Sequence, residues 1–530
     1  MCRWRCWAST CHVLLVRRES HKNPRYLIGS PHAHRLLHIR LVRNGSRPGR
    51  PRWRQKGCAV AILALDQGTS GSKAIVVDED GIHAVVENPI HPQYLPGGAV
   101  EQDPIELYRS VVEAGKEAVA KAGKPIEGVS LANQGETILA WDPETGEPLT
   151  QCIVWQDRRS EVVVERLREH AEEIHQRTGL VLDSYFTAPK MVWLRENCTR
   201  EGVVTTTDTW MLHRLTGEFV TDVSTASRSL LFNVDDVAWD PRLIEIFGLQ
   251  DERLPRAVAC DEIVGMTTVF GGEIPVGGLI VDQQAALFAE RCLERGQAKC
   301  TYGTGAFILV NMGDSAPRFD NGLTTSVAWQ LRGRTTYCSD GQVYTAASAV
   351  RWMQEMGIVE GAAEMDQIAA PDPGGVICAP SFAGLAAPWW KPDAGAFIAG
   401  MKLATGKPEI VRAVLDGIAC QIAELSDLTR EELGAPLTRL RVDGGLTKSV
   451  TLMQSQADML QAPIETYPSA HATALGTAAC MRLALDPELA VEDGPYAWEA
   501  EASYEPRRTA ADVTVYRTAW RNAVDATLEI

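Results

Sequence analysis

Two glycine-rich turns and two aspartates carry residue types that could act on a phosphate group. Segment 68–73 reads GTSGSK between two apolar stretches, and Gly303-Thr304-Gly305 repeats this arrangement about 235 residues later. Backbone N–H groups, hydroxyls and a cation in such a turn suit phosphate oxygens. Asp66 and Asp282 each stand at the end of an apolar stretch, where a carboxylate can face a cleft. One such carboxylate can orient a metal ion while the other accepts a hydroxyl proton, which together indicate phosphoryl transfer.

Each of these features also has an ordinary structural interpretation. Segment 68–73 is not a P-loop, because the Walker spacing is absent and a β-branched stretch, not a helix, follows Lys73. A lone turn of this kind is typical of a surface hairpin, and Asp282 could instead cap the helix predicted after it. The second turn, together with Asp443-Gly444-Gly445 between a predicted strand and a helix, favours the functional interpretation.

Strand and helix patterns are mixed along the chain, which predicts an α/β fold. The predicted elements are hairpins at 61–78, 137–149 and 298–311, helices from 104 and at 409–425, and strands at 129–132 and 440–442. The recurring glycine hairpin suggests an ancient duplication, with two similar lobes facing each other across a cleft suited to a polyphosphate. We place the lobe boundary near 290–297, which gives lobes at 60–293 and 294–530.

The charge balance argues against a nucleic-acid partner. Of the 530 residues, 52 are Lys or Arg and 68 are Asp or Glu, and the net charge of −16 repels phosphate backbones and anionic lipid head groups. The first sixty residues differ, with fourteen Lys and Arg and a single acid, Glu19. We expect this basic extension, 1–59, to be disordered or not native. A transit peptide, a nucleic-acid arm and translated sequence upstream of the true start stay open, and the Arg, Pro, Trp and Cys usage favours the last.

The thirteen cysteines include no CxxC pair and no metal-binding His/Cys spacing. We expect the nine between Cys152 and Cys480 to be small buried hydrophobes in a reducing compartment, the cytoplasm. No stretch offers eighteen apolar residues without a charge, so no membrane span is predicted.

From about Ile62 to the C-terminus the chain resembles the FGGY family of carbohydrate kinases. Two signatures of that family are present with their spacing, YFTAPKMVWLREN at 185–197 and AFIAGMKLATGKPEIVRAVLD at 396–416. Within the family the chain is most similar to the branch that phosphorylates glycerol, on the segments ALDQGTS, IVWQDRR, TDTW, TASRSLLFN, DQQAALF and TYGTGAF.

The resemblance implies an actin-like ATPase fold of two ribonuclease-H-like lobes, with ATP and Mg²⁺ in the cleft and in-line transfer to a polyol hydroxyl. By position, Asp282 matches the general base and Asp66 matches the carboxylate that holds magnesium through water. The implied polyol-site residues are Gly135, Glu136, Trp155, Tyr185, Asp282 and Gln283. The implied nucleotide contacts are Thr69, Ser70, Gly71, Lys73, Gly303, Thr304, Ala347, Gly445 and Leu446. A small-molecule polyol is the expected partner, and a homo-oligomer is left open.

The chain departs from the family pattern in several places. Gly135 stands where the glycerol branch has an arginine that grips substrate hydroxyls, and losing that donor could cost about 1.5 to 3 kcal/mol. Either the pocket is open and takes a longer polyol or a sugar, or a neighbouring side chain fills the gap. Lys73 replaces an arginine, and Arg351 and Val450 replace polar side chains near the nucleotide. Segment 271–273, Gly-Gly-Glu, replaces an anion loop through which sugar bisphosphates inhibit some members, so we expect no such feedback.

Phosphorylation of a polyol, with glycerol as the first choice, is the predicted function. A kinase for a longer polyol or a ketose is the alternative within the family. A non-catalytic actin-like nucleotide switch is the alternative outside it, and the pair Asp282-Gln283 argues against that. A regulatory pseudokinase is the third hypothesis, motivated by Gly135, Lys73 and Val450.

Overall fold

Strands and helices are mixed along the chain, as the sequence pattern predicted. The computed structural model describes residues 60–529, and the predicted basic extension, 1–59, lies outside the described residues. The strands are β1 (Ala61–Gln67), β2 (Gly71–Asp78), β3 (Gly81–Pro89), β4 (Gln93–Leu95), β5 (Ala99–Gln102), β6 (Ile126–Asn133), β7 (Ile138–Trp141), β8 (Cys152–Ile153), β9 (Val203–Thr206), β10 (Val220–Asp222), β11 (Phe232–Asn233), β12 (Ala238–Trp239), β13 (Arg256–Val258), β14 (Ile263–Thr267), β15 (Ile274–Val281), β16 (Ala298–Tyr302), β17 (Ala306–Gly313), β18 (Thr324–Leu331), β19 (Arg334–Val343), β20 (Ile377–Ala379), β21 (Phe397–Ala399), β22 (Leu440–Asp443), β23 (Ile464–Thr466) and β24 (Ser503–Tyr504). The α-helices are α1 (Pro104–Ala122), α2 (Glu161–Arg166), α3 (Ala171–Thr178), α4 (Thr187–Asn197), α5 (Thr207–Thr216), α6 (Val223–Ala226), α7 (Pro241–Ile246), α8 (Asp282–Ala289), α9 (Ala347–Glu355), α10 (Met365–Ile368), α11 (Lys407–Leu433), α12 (Val450–Leu460), α13 (Ala472–Leu485) and α14 (Ala510–Leu528).

A six-stranded mixed sheet carries the first glycine turn, and we call it the first sheet. Its order is β14-β15-β6-β1-β2-β3. Strands β1, β2 and β3 form an antiparallel meander, β6 runs parallel to β1, and β15 runs parallel to β6. In register, Gln67 lies opposite Asn133, which lies opposite Val281. The carboxyl ends of three parallel strands therefore meet at one edge, where α/β sheets bind their ligands.

A seven-stranded sheet carries the second glycine turn, and we call it the second sheet. Its order is β18-β19-β17-β16-β22-β23-β24. Strand β16 pairs antiparallel with β17 and parallel with β22, just as β1 pairs with β2 and with β6. Both sheets thus contain a hairpin with a parallel strand beside its first strand, which is what the duplication hypothesis requires.

Helix α1 begins and ends where the residue types predict. Asp103 is its N-cap and accepts hydrogen bonds from the backbone N–H groups of Ile105 and Glu106, and Pro104 takes the first helical position. Gly123 ends the helix in the left-handed region, at φ 60°, and its N–H donates to Val119 O. The apolar face of α1 packs against the first sheet.

The hairpin predicted at 137–149 forms, although its return segment is short. Asp142 N donates to Glu147 O at 2.9 Å, Leu149 N donates to Ala140 O at 2.8 Å, and an antiparallel bridge joins Trp141 to Pro148. On the same side β7 also pairs with β8 at Ile138, and its other edge pairs with β9 along its whole length. The predicted hairpin is therefore part of a five-stranded sheet.

Helices α8 and α13 lie in the core between the two sheets. Ala286 of α8 belongs to a buried cluster with residues of β1, β2 and α13, whereas Phe288 belongs to the core of the second sheet. The two helices approach so closely that a β-carbon on Gly476 would lie 1.9 Å from Ala285 O. Glycine is therefore required at that crossing.

The nine cysteines between residues 60 and 529 are all free thiols, and eight of them are buried as predicted. The prediction is wrong for Cys198, which is exposed because it directly follows the last turn of α4. No helix in the described part of the chain is long and apolar enough to span a membrane.

Candidate active site

The first glycine turn connects β1 to β2 and is held by hydrogen bonds to its neighbours. Gly68 N donates to Gly71 O at 3.0 Å and closes the turn. Trp155 Nε1 donates to Thr69 Oγ1 at 2.9 Å, which links the turn to the segment after β8. Ser70 is exposed at the tip. The turn is thus fixed in shape while its tip stays accessible, as phosphate binding requires.

Lys73 leaves this turn and reaches a segment near the end of the chain. Its ammonium donates to Ala470 O at 3.1 Å and pairs with Glu87 at 3.2 Å. The Lys73 ammonium therefore links the first glycine turn to the segment before α13.

The second glycine turn connects β16 to β17 and meets the start of α9. Ala346 N donates to Thr304 O at 3.0 Å, and Ala347 N donates to Gly303 O at 3.1 Å. A β-carbon on Gly305 would lie 2.3 Å from Val343 O, so only glycine fits there. The turn and the first residues of α9 form one backbone unit.

A third turn, 443–446, lies directly beside the second. Strands β16 and β22 place Thr301 opposite Asp443. Gly444 has φ 96°, and a β-carbon there would lie 2.4 Å from Tyr302 O. The next residue, Gly445, has no atom within 4 Å of its β-carbon position, and Leu446 is buried. A ligand can therefore approach the backbone at Gly445.

Three carboxylates from different strands share the edge between the two sheets. Burial raises the pKa of Asp66 to about 7; Lys73 opposes this rise, and the negative charges of Asp282 and Asp443 add to it. Burial also raises the pKa of Asp282, and there Lys299 opposes the rise. Like charges held this close are typical of a site that receives a cation or a proton.

These carboxylates fit a magnesium ion that takes most of its ligands from elsewhere. Within residues 60–529 no group of three or more His, Cys, Asp or Glu side chains is placed to hold a metal ion. Mg²⁺ usually keeps several waters and takes one or two carboxylates together with substrate phosphates. Asp66 is a buried carboxylate with a raised pKa, and Asp443 Oδ1 has no hydrogen-bond partner in the described chain. The two residues suit such a site.

An aromatic wall stands beside Asp282. The Trp155 ring meets the Tyr185 ring edge-on at 5.5 Å and the Phe307 ring edge-on at 6.2 Å, between centroids. Burial raises the pKa of Tyr185, and the charges of Glu136 and Asp282 add to the rise. Phe307 follows the second glycine turn on β17, so this wall includes residues from both halves of the chain. A small molecule with a carbon backbone and several hydroxyls fits an apolar wall with polar groups beside it.

Arg228, which follows α6, is the centre of a buried ion triad. Its Nε donates to Glu136 Oε1, and its Nη1 donates to Asp340 Oδ2 at 2.6 Å. All three side chains are at most 4 % exposed. The rings of Tyr185 and Phe186 each lie 5.7 Å from the guanidinium carbon. Burial raises the pKa of Glu136 to about 7 even beside this cation.

A guanidinium stands beside Glu136 although position 135 is glycine. Gly135 has φ 69°, and a β-carbon there would lie 3.2 Å from Val281 Cγ2. A side chain at this position would therefore be strained. The guanidinium beside Glu136 belongs to Arg228, 92 residues along the chain. The open pocket and the filled gap both stay predictions.

A buried lysine fixes the segment that carries Tyr185. The Lys190 ammonium is fully buried and donates to Ser184 O at 3.0 Å, to Phe186 O at 2.8 Å and to Tyr185 O. Burial lowers the pKa of Lys190 to about 7. Because an ammonium has three donors, three carbonyl oxygens satisfy it and lock the turn before α4.

The two departures from the family pattern near the expected nucleotide site are both exposed. Arg351 is exposed on α9, and Val450 is 56 % exposed at the start of α12. Sequence reasoning missed several residues that the structure places in or beside the site: Lys190, Arg228, Lys299, Phe307 and Asp340. Lys190 and Lys299 did carry a signal, because a cation inside an otherwise apolar pattern must be paired if it is buried.

Two sequence patterns of one family match the chain. The pattern of the FGGY family of carbohydrate kinases, N-terminal domain, matches residues 61–289, and that of the C-terminal domain matches residues 298–485. Glycerol kinase 2 of Thermotoga maritima is 37 % identical over 488 residues, which cover 88 % of this chain and 98 % of the relative. A glycerol kinase of Alkalilimnicola ehrlichii is 40 % identical over 485 residues, covering 88 % and 97 %.

Solved structures of carbohydrate kinases share the fold of this chain. A Plasmodium falciparum glycerol kinase with ADP matches with a TM-score of 0.82 at 30 % identity, covering 89 % of this chain and 98 % of that one. A xylulose kinase from Lactobacillus acidophilus matches with a TM-score of 0.78 at 20 % identity, covering 88 % and 97 %, a likeness of fold alone. The predicted two-lobed, actin-like ATPase fold is confirmed. The chain belongs to the FGGY family of carbohydrate kinases.

Proposed function

We propose that the protein transfers the γ-phosphoryl group of ATP to a hydroxyl of glycerol, giving glycerol 3-phosphate and ADP. Its family consists of phosphotransferases that use an alcohol as acceptor. The observation that carries the proposal is the position of Asp282. It directly follows β15 at the carboxyl edge of the first sheet, and it is close enough to Asp66 and to Tyr185 of the aromatic wall to interact with both.

Asp282 is assigned as the general base. Its Oδ1 accepts the Gln283 backbone N–H at 2.7 Å, and the Gln283 side chain also favours the ionised carboxylate. The carboxylate can take the proton of the acceptor hydroxyl as the hydroxyl oxygen attacks phosphorus. Because burial raises the pKa of Asp282, the base is lost as pH falls through a value above the usual aspartate range.

The acceptor pocket supports glycerol rather than a longer polyol. The Trp155 and Tyr185 rings present apolar surface, and Glu136 offers a hydrogen-bond acceptor held in place by Arg228. The relatives that match at 37 % and 40 % identity are named glycerol kinases, which also supports glycerol. A kinase for a longer polyol or ketose stays the alternative.

The nucleotide side is assigned to the three turns. Thr69, Ser70 and Gly71 on one side, and Gly303 and Thr304 on the other, offer backbone N–H groups and hydroxyls to phosphates. Ala347, Gly445 and Leu446 are assigned to the remainder of the nucleotide, and Lys73 to charge compensation near the first turn. Asp66 would hold Mg²⁺, which when bound neutralises charge on the phosphates. We assign residues 60–293 to the lobe with the acceptor pocket and 294–530 to the nucleotide lobe.

The deciding experiment is a screen of acceptors with ATP and Mg²⁺. Glycerol, erythritol, xylitol, xylulose and gluconate are compared by ADP formation, and the phosphorylated product is identified by mass spectrometry. Glycerol should give the highest kcat/KM, and Asp282→Asn should abolish most of the acceptor-dependent rate. ADP formation that ignores every acceptor would favour the nucleotide-switch hypothesis, and nucleotide binding without turnover would favour the pseudokinase.

A further inference from the structure

We propose that Lys299 is a positioning residue for the acceptor site: its ammonium orients the Gln283 amide and keeps a positive charge beside Asp282. The inference rests on the proposed function and deepens it, because it names a residue of the second sheet that prepares the base and the acceptor contact. Lys299 lies on β16, four residues before the second glycine turn, whereas Gln283 lies on α8.

The ammonium is enclosed and has two side-chain acceptors. Lys299 is fully buried. Its Nζ donates to Gln283 Oε1 and to Thr301 Oγ1, the second at 2.9 Å. A buried ammonium is costly without partners, so these two contacts fix where the charge stands. The contact with Gln283 crosses from the second sheet to the helix that carries the base.

This contact decides which way the Gln283 amide points. A lysine ammonium has three donors and no acceptor, so only the amide oxygen of Gln283 can face it. The NH₂ group is then directed away from Lys299, and the Gln283 side chain accordingly lowers the pKa of Asp282. Gln283 therefore acts as a donor towards the base and the acceptor, while Asp282 acts as the proton acceptor.

The same ammonium is the main nearby cation for several buried carboxylates. Lys299 opposes the rise in pKa that burial causes at Asp282, at Asp443 and at Glu290. The two oxygens of Glu290 have no hydrogen-bond partner among residues 60–529, and the charges of Lys299 and Arg441 favour its ionised form. Lys299 thus supplies one positive charge to a region with a surplus of carboxylates.

Other charged groups also act on Asp282, and they determine in which direction its pKa moves when Lys299 is replaced. Arg228 from the segment after α6 favours its ionised form together with Lys299 and Gln283. Asp66 from β1 and Glu136 from the segment after β6 are negative and close enough to interact with it. Removing the Lys299 charge therefore leaves the negative neighbours less opposed, and the pH below which Asp282 is protonated must rise.

The test compares Lys299→Met with Lys299→Arg in the full chain. For each, kcat/KM for glycerol is measured between about pH 5 and 9 at saturating ATP, together with KM for ATP. Lys299→Met should lower kcat/KM for glycerol about tenfold or more, with KM for ATP changed by about twofold at most. It should also move the acid limb of the pH–rate profile, where activity is lost on acidification, to higher pH. Lys299→Arg keeps the charge and should keep the acid limb in place. Thr301→Val, which removes the other acceptor of Lys299, is the matched control and should also keep the acid limb.

The outcomes separate this proposal from the proposed function. If the unchanged protein does not phosphorylate glycerol, the proposed function fails before any variant is compared. If it does, and Lys299→Met loses activity with an unshifted acid limb, then Lys299 is merely structural and this proposal is overturned. Should Lys299→Met not fold, Gln283→Glu decides instead. It keeps a partner for Lys299 but has no donor, so its KM for glycerol should rise about tenfold, and an unchanged KM overturns the proposal.

Discussion

Replacing Arg228 with methionine should destabilise the protein in a manner that depends on pH. The guanidinium stands between Glu136 and Asp340, and all three side chains are at most 4 % exposed. Removing one partner of a buried ion pair usually costs about 3 to 5 kcal/mol, because a charge is left without compensation. Here the loss leaves two carboxylates without their cation, and Glu136, whose pKa burial already raises to about 7, can stay in the core only by taking up a proton.

The size and sign of the pH effect follow from proton binding. The pKa of Glu136 is already raised to about 7 with Arg228 present, and without the cation it must rise further. The folded variant then holds a proton that the unfolded chain has released, so its stability falls as pH rises. Each carboxyl that stays protonated in the folded state lowers the free energy of unfolding by about 1.4 kcal/mol for each unit that the pH rises. Between about pH 6 and 8 the free energy of unfolding of the variant should fall by about 1.4 kcal/mol more than that of the unchanged protein, in which the pKa of Glu136 is already about 7.

Urea unfolding followed by tryptophan fluorescence at both pH values measures this difference. Arg228→Lys retains a cation and should show a much smaller pH dependence. Arg228→Met combined with Glu136→Gln removes one of the stranded carboxyls and should recover part of the stability at the higher pH. Parallel pH dependence in Arg228→Met and the unchanged protein would refute the idea that the guanidinium compensates buried charge.

Four further predictions concern the site and its surroundings. Asp282→Asn should bind ADP as before while kcat falls by about two to four decades, which isothermal titration and the coupled kinase assay measure. Deletion of residues 1–58 should leave kcat, KM and the unfolding midpoint unchanged, since no pattern ties that segment to either sheet. Sugar bisphosphate at millimolar concentration should not inhibit at constant ATP, because the exposed turn 271–273 carries a glutamate and no cation. Gly135→Arg should lower activity on glycerol and the unfolding midpoint together, because its φ of 69° and Val281 oppose a side chain; a gain in glycerol preference would contradict this.

Local signals predicted the local structure of the phosphate turns well. The hairpin at 61–78 forms because apolar stretches flank a glycine turn, and α1 forms because Asp103 and Pro104 specify its start. Asp66 and Asp282 could be chosen because each ends an apolar strand. Their placement at one edge also follows from parallel pairing of β1, β6 and β15, although that pairing was not itself predicted.

Long-range geometry explains what the sequence did not predict. The hairpin at 137–149 followed from its turn residues, but the pairing of β7 with β9, more than sixty residues away, was not predicted. The backbone angle of Gly135 and the approach of Val281 depend on packing, which no local pattern reports. Arg228 belongs to TASRSLLFN, a segment that carried the family resemblance, but only the fold places its guanidinium on Glu136.

The contacts that complete the acceptor pocket come from both halves of the chain. Phe307 of the second sheet packs on Trp155, which in turn holds Thr69 of the first phosphate turn. Asp340 pairs with Arg228, and Lys299 holds Gln283. A change in the distance between the two sheets would therefore displace three groups at once. These are the Phe307 ring of the aromatic wall, the Asp340 carboxylate of the ion triad and the Lys299 ammonium that orients the Gln283 amide. The two glycine turns lie on the same two sheets as these contacts. The geometry that aligns a nucleotide between the turns is therefore also the geometry that completes the proposed acceptor pocket, so we expect the two substrates to favour the same arrangement of the sheets.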